Sequence, residues 1–150
     1  MYITNENDIF TYFSVINDIC PTSIIDVGMF LKRIGAVSRQ ARGVEIIRDI
    51  KLDGIELFPN ITTKVFDVIY DKICDMNFLE TSTQYDLMMM LRTENILTQI
   101  ETERIWEWAK HNVKYVFINC DTEEELEELK KKGNVRDIRL EKELYAIVIF

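Results

Sequence analysis

The chain is poor in the residues that punctuate or cross-link a polypeptide. Its 150 residues include two prolines, five glycines, three cysteines and one histidine. So little proline and glycine excludes collagen-like and low-complexity sequences. The cysteines, Cys20, Cys74 and Cys120, are odd in number and widely spaced, with no pair at CxxC distance, so no disulfide framework is expected. A structural zinc site needs about four Cys or His ligands, and His111 is the sole histidine. A reducing cytoplasm is the expected compartment. No apolar run approaches the roughly 18–20 residues that span a bilayer. The opening MYITNENDIFTYF has neither the basic start nor the clean apolar stretch of a secretory signal. Positive charge is also scarce. Eighteen Lys and Arg against 26 Asp and Glu leave a net charge of −8. That balance makes nucleic acid and acidic membranes poor partners.

What is present is a core. The chain is 47% hydrophobic and of a size for one domain, 1–150, divided into an N-terminal helix within 1–20 and an α/β core over 22–150. Residues 7–19 place Ile9, Phe10, Phe13, Ile16 and Ile19 at helical spacing, and Pro21 stops the helix. Ser23 to Gly28 reads as a strand closed by glycine. Phe30, Ile34, Val37 and Ala41 predict a helix over 29–41, with Gly43 as its stop. Leu52 to Phe58 is a second strand, stopped by Pro59. Val65 to Cys74 reads as a third strand, with a helix over 62–74 as the alternative. Tyr85 to Leu91 is a fourth, made apolar by Met88, Met89 and Met90. Thr98 and Glu101 form a capping box for a helix over 98–111. Val113 to Cys120 is a fifth strand. The segment 121–132 is a helix with acidic residues first and lysines last, which suits the helix dipole. Val135–Leu140 and Leu144–Phe150 close the chain as two strands.

Strands alternating with helices predict a mostly parallel sheet covered on both faces. The last two strands are separated by a few residues and are therefore antiparallel. In such sheets ligands bind at the carboxyl ends of the strands, near the point where strand order reverses. Gly28 ends the first strand, where a missing side chain permits a tight turn and close approach of a ligand. Asp26 is placed to order that loop through backbone N–H groups. Glu56 ends the second strand. A carboxylate there can accept hydrogen bonds from two vicinal ribose hydroxyls. The Gly28–Glu56 separation is 28 residues, somewhat longer than the roughly 20 of a dinucleotide site. A Gly-x-Gly-x-x-Gly signature is absent, which argues against NAD.

Three motifs in this order carry a resemblance. Ile24-Ile-Asp-Val-Gly28 resembles the first motif of class I S-adenosylmethionine-dependent methyltransferases. Leu52-Asp-Gly-Ile-Glu-Leu-Phe-Pro59 resembles their second motif, and Gln84-Tyr-Asp-Leu-Met-Met-Met90 is similar to the start of their fourth strand. The resemblance covers residues 20–150. It implies a three-layer Rossmann-like fold with an antiparallel C-terminal strand pair, and S-adenosylmethionine as cofactor. It implies contacts from Asp26, Gly28, Met29, Glu56, Leu57 and Leu91, with Asp75, or else Asp71, facing the adenine. The chain departs from the family after Gly28. Met29, Phe30 and Leu31 stand where a Gly-x-Gly-x-Gly pattern lets the backbone lie against the methionine part of the cofactor. No Asn/Asp-Pro-Pro-Tyr/Phe motif follows the fourth strand, so methylation of a nucleic-acid base is not indicated.

Two functions are expected from this pattern. One is methyl transfer to a small-molecule substrate, with Arg92, Glu94 and Asn95 as substrate-orienting candidates and a homodimer as a way to complete the site. The other is a non-catalytic domain of the same fold, acting in interaction or regulation. Other features have plain structural readings. Lys32, Arg33, Arg39, Arg42, Arg48 and Lys51 read as a solvated basic face, or as an anion-binding edge. Trp106 and Trp108, two apart, are expected on different helix faces, one buried and one partly exposed. His111 is a dipole partner at a helix end.

Overall fold

A computed structural model describes residues 5–35, 47–57 and 69–150. Seven strands form a single sheet. In chain order the elements are α1 (Glu6–Ile19), β1 (Ser23–Val27), a one-turn α2 (Phe30–Arg33), β2 (Lys51–Ile55), β3 (Lys72–Cys74), β4 (Tyr85–Met90), α3 (Gln99–Asn112), β5 (Val113–Cys120), α4 (Glu123–Leu129), β6 (Asn134–Leu140) and β7 (Glu143–Ile149). The strand order is β3-β2-β1-β4-β5-β7-β6. Strands β3, β2, β1, β4 and β5 run parallel, and β7 is antiparallel to both β5 and β6. Strand order reverses between β1 and β4, whose carboxyl ends therefore diverge into loops on opposite sides of one crevice.

The central strands are apolar on both sides because both sides are covered. Ile25, Val27, Met88 and Met90 pack with Ile105, Ala109 and Leu126 of α3 and α4. Their alternates, Ile24, Leu87 and Met89, pack with Tyr12, Val15 and Ile16 of α1. The period-two alternation of a strand thus splits the methionine run between two cores. Helix α1 starts at the Asn5 cap, whose side chain accepts from the Asn7 N–H, and ends at Cys20 in a left-handed conformation. Helix α3 begins with the capping box expected of Thr98 and Glu101.

Three expectations change. The helix expected over 29–41 is a single turn, Phe30–Arg33, followed by a turn at Ile34 and Gly35; residues 36–46, and with them Arg39, Arg42 and Gly43, lie outside the described residues. The described part of the third strand is three residues, Lys72–Cys74, followed by a 3-10 turn at Met76–Glu80 that the sequence did not announce. Trp106 and Trp108 are both buried. Trp108 meets Phe78 and Tyr85 and donates its indole N–H to the Thr81 carbonyl. Trp106 turns to the other side, against Phe150 and under the Lys132 ammonium. The faces differ as the spacing requires, but the C-terminal residue and the 130–133 turn cover the second one.

Candidate functional site

The crevice is built on a sharp turn. Gly28 has φ +82° and Met29 φ +51°, so two successive residues are left-handed. This costs glycine little and methionine more. The Gly28 N–H donates to the Ile55 carbonyl at 2.8 Å, which pins the turn to β2. Met29 is wholly buried and lies over Gly54; a Cβ added at Gly54 would sit 2.7 Å from Met29 Cγ and 3.0 Å from the Tyr70 ring. The bulk after Gly28 therefore points into the core and is accommodated by a glycine in the next strand. Phe30 does likewise, stacking on Tyr12 at 4.8 Å.

Asp26 ties this turn together. Its Oδ2 accepts from Tyr70 Oη at 2.6 Å, Tyr12 Oη at 3.0 Å and the Phe30 N–H at 3.1 Å. Tyr70 Oη in turn accepts from the Leu31 N–H. One carboxylate thus joins β1, α1, α2 and the chain entering β3. It is completely buried. Desolvation raises its pKa from the ordinary carboxylate range, against the lowering effect of the Tyr70 hydroxyl and the Arg33 charge. The same burial pushes the Tyr12 and Tyr70 phenols well above their ordinary value.

The sheet brings Gly28, Glu56, Leu57 and Leu91 to one place, at the carboxyl ends of β1, β2 and β4. Two residues read from sequence as surface cations occupy that place as well. Lys32 forms an ion pair with Glu56, and the two side chains are only 7% and 10% exposed. Arg33 reaches across the crevice and donates to the main-chain carbonyls of Leu91 at 2.5 Å and Arg92 at 3.2 Å. A Cβ added at Gly28 would meet Leu57 Cδ1 at 3.3 Å, Arg33 Nη2 at 3.4 Å and Thr93 Cγ2 at 3.4 Å. The space in front of the glycine is therefore filled by the chain's own side chains. Asp75 stands at the end of β3 and caps the 3-10 turn by accepting from the Asn77 N–H at 2.9 Å. Asp71 accepts from the Leu52 N–H at 2.8 Å.

Beside the crevice lies a second polar cluster. Arg92, at φ +56°, fans its guanidinium over Asp8, Glu143 and Asp121. Nε and Nη2 each donate to a different oxygen of Asp8, at 2.9 and 3.0 Å. Asp8 is 0% exposed and also accepts from Tyr145 Oη at 2.6 Å. These carboxylates raise the Arg92 pKa, so the guanidinium is a permanent cation. The cluster clamps α1 onto the carboxyl end of the sheet.

No protein-family model matches the sequence, and no curated protein matches it. Solved structures do. The methyltransferase domain of bacterial CtHen1-CN is similar over 97% of this chain and 99% of that one, with a TM-score of 0.70 and 9% identity. The 16S rRNA methylase ArmA matches 95% of this chain over 82% of its own, with a TM-score of 0.60 and 14% identity. An O-methyltransferase family protein from Burkholderia thailandensis matches 94% of this chain over 56% of its own, at 0.61 and 9%. The fold is that of the class I S-adenosylmethionine-dependent methyltransferases. In a methyltransferase fold, the crevice between β1 and β4 is where the resemblance places the cofactor. The residues found there do not fit it as they stand. Glu56 is engaged by Lys32, and the Gly28 cradle is filled by Arg33, Leu57 and Thr93. Sequence reading missed Lys32 and Arg33 as site residues. The available signal was a pair of cations four and five residues past Gly28, facing an acid at the end of β2.

The His111 imidazole is exposed at the end of α3, 3.5 Å from Glu107. Among the described residues no group of three or more His, Cys, Asp or Glu could hold a metal ion, and no helix is long and apolar enough to cross a membrane.

Proposed function

We propose that this chain is a non-catalytic methyltransferase-fold domain that works by binding rather than by methyl transfer. The observation that carries the reading is the crevice itself, filled by Lys32 and Arg33. Entry of S-adenosylmethionine would require a ribose to displace an ammonium from a nearly buried carboxylate. Breaking such a pair leaves charges uncompensated. The incoming sulfonium is itself a cation and would meet Arg33, already held by two carbonyls. Met29 and Phe30 are turned into the core, so the case rests on the two cations and not on their bulk.

The competing reading is an active methyltransferase acting on a small molecule. It is favoured by the fold and requires both cations to leave the crevice. Calorimetric titration with S-adenosylmethionine and S-adenosylhomocysteine separates the two. The non-catalytic reading expects no binding heat up to millimolar ligand. Micromolar binding of either ligand would overturn it, and Glu56→Ala would then show whether the carboxylate holds the ribose.

A further inference from the structure

The sheet ends laterally in an unpaired strand. β6 closes the strand order and pairs with β7 alone, so among the described residues nothing covers its outer edge. An edge strand presents a row of free N–H and C=O groups, which proteins commonly blunt with proline, lysine, a bulge or a very short strand. β6 uses none of these devices. Its seven residues, Asn134-Val-Arg-Asp-Ile-Arg-Leu140, contain no proline or lysine. They keep an unbroken register with β7 from Asn134↔Ile149 to Leu140↔Glu143. What the edge carries instead is two arginines and one aspartate, and their order selects a partner.

The charges divide between the faces of the sheet. Asp137 and Arg139 lie on the α4 face, where Arg139 meets Glu123 and Asp137. Arg136, Ile138 and Leu140 alternate onto the α1 face. There Arg136 stands 3.9 Å from Asp18, and Ile138 and Leu140 are partly buried against the α1-side core. A second copy that joins antiparallel, about a two-fold axis normal to the sheet, sets residues of the same face opposite one another. Centring the axis on Asp137 opposes two aspartates. Centring it on Arg136 opposes two arginines. Like charges directly opposite are destabilising. Centring on Ile138 sets Asp137 opposite the partner's Arg139, and Arg139 opposite the partner's Asp137. Ile138 then meets the partner's Ile138 on the axis. The edge is thus self-complementary at one register, in charge on one face and in apolar contact on the other.

Helix α1 adds a second feature at the same edge. Asn7 donates to Glu141 and Asp18 meets Arg136, so one flank of α1 lies along the β6–β7 hairpin. Phe10, three residues on from Asn7 and so its neighbour on the helix surface, is a large apolar side chain left 63% exposed. The same axis puts the Phe10 of each copy on one face of the joined sheet, flanking the seam.

We infer that this chain self-associates as a two-fold dimer through β6, paired antiparallel about Ile138 into one continuous sheet. The inference rests on the β6 edge and goes beyond the reading of the β1–β4 crevice, holding whether or not that crevice admits S-adenosylmethionine.

Sedimentation equilibrium of the full chain is expected to show a dimer in the micromolar range. Amide hydrogen exchange across β6 is expected to slow as protein concentration rises. Asp137→Arg and Arg139→Asp change side chains that are 45% and 53% exposed, and both variants should stay folded by circular dichroism. Each replaces two opposite-charge pairs across the seam by two like-charge pairs, and should weaken the dimer at least about tenfold. Mixing the two variants restores an opposite-charge pair at both positions, so the heterodimer should form with close to wild-type affinity. Neither a merely structural role for these residues nor a strand partner other than a second copy produces that rescue. A wild-type chain that stays monomeric up to millimolar concentration would overturn the inference. So would a dimer that leaves the β6 amides unprotected, unchanged self-association in either folded variant, or a mixture that fails to associate. None of these outcomes bears on the S-adenosylmethionine titration, so the two readings fail separately.

Discussion

Replacing Arg92 tests how α1 is held to the sheet. Arg92→Ala removes both hydrogen bonds to Asp8 and the bond to Glu143, and takes the guanidinium away from the Asp8 carboxylate, which is 0% exposed. Removing one partner of a fully buried pair costs about 3–5 kcal/mol. The Arg92 side chain is 19% exposed, so water enters the vacated space, and the expected loss is about 2–4 kcal/mol. For a chain of this length that is a fall in Tm of roughly 5–15 °C. Arg92 is also left-handed, at φ +56°. Alanine keeps that strain and glycine does not. Arg92→Gly should therefore be more stable than Arg92→Ala by about 0.5–1 kcal/mol, although both lack the guanidinium. Urea unfolding followed by circular dichroism measures both differences. A double-mutant cycle with Asp8→Asn should give a coupling above about 1 kcal/mol. An Arg92→Ala variant within about 0.5 kcal/mol of wild type would refute the clamp, since that is the range of ordinary surface substitutions. A glycine variant less stable than the alanine one would refute the backbone argument.

Two further predictions concern the turn after β1. Burial raises the Asp26 pKa, so between the ordinary aspartate value, about 3.9, and the raised native value the folded state holds a proton that the unfolded chain has released. Stability falls as pH rises through that window, and Asp26→Asn should abolish this part of the slope in urea midpoints taken from mildly acid to neutral pH; parallel profiles for the two proteins would count against the assignment. Gly54→Ala should cost about 1–3 kcal/mol by overpacking, because its Cβ would lie 2.7 Å from Met29 Cγ, and a neutral effect in thermal melts would show that Met29 is free to move.

The sequence by itself determined what depends on neighbours along the chain. The β1 strand and its closing glycine, the Thr98–Glu101 capping box, the apolar Met88–Met90 run, the whole of β5 and the antiparallel closing pair are all set by local periodicity, caps and short connections. The class of sheet followed from their order. Tertiary structure decided whatever depends on partners far apart in sequence. Lys32 and Arg33 carry no local sign that they turn inward; the β3-β2-β1-β4 order delivers Glu56 and the Leu91 carbonyl to them from two other strand ends. Asp8 and Arg92 are 84 positions apart, and only the packing of α1 on the face of the central strands makes them a pair. Trp106 meets Phe150 and the Lys132 ammonium, which reach it from elements far along the chain. A strand end in sequence is an invitation to a ligand, but which side chains answer it is settled by which loops the sheet brings together, since charge pairing and packing act through space and periodicity acts along the chain.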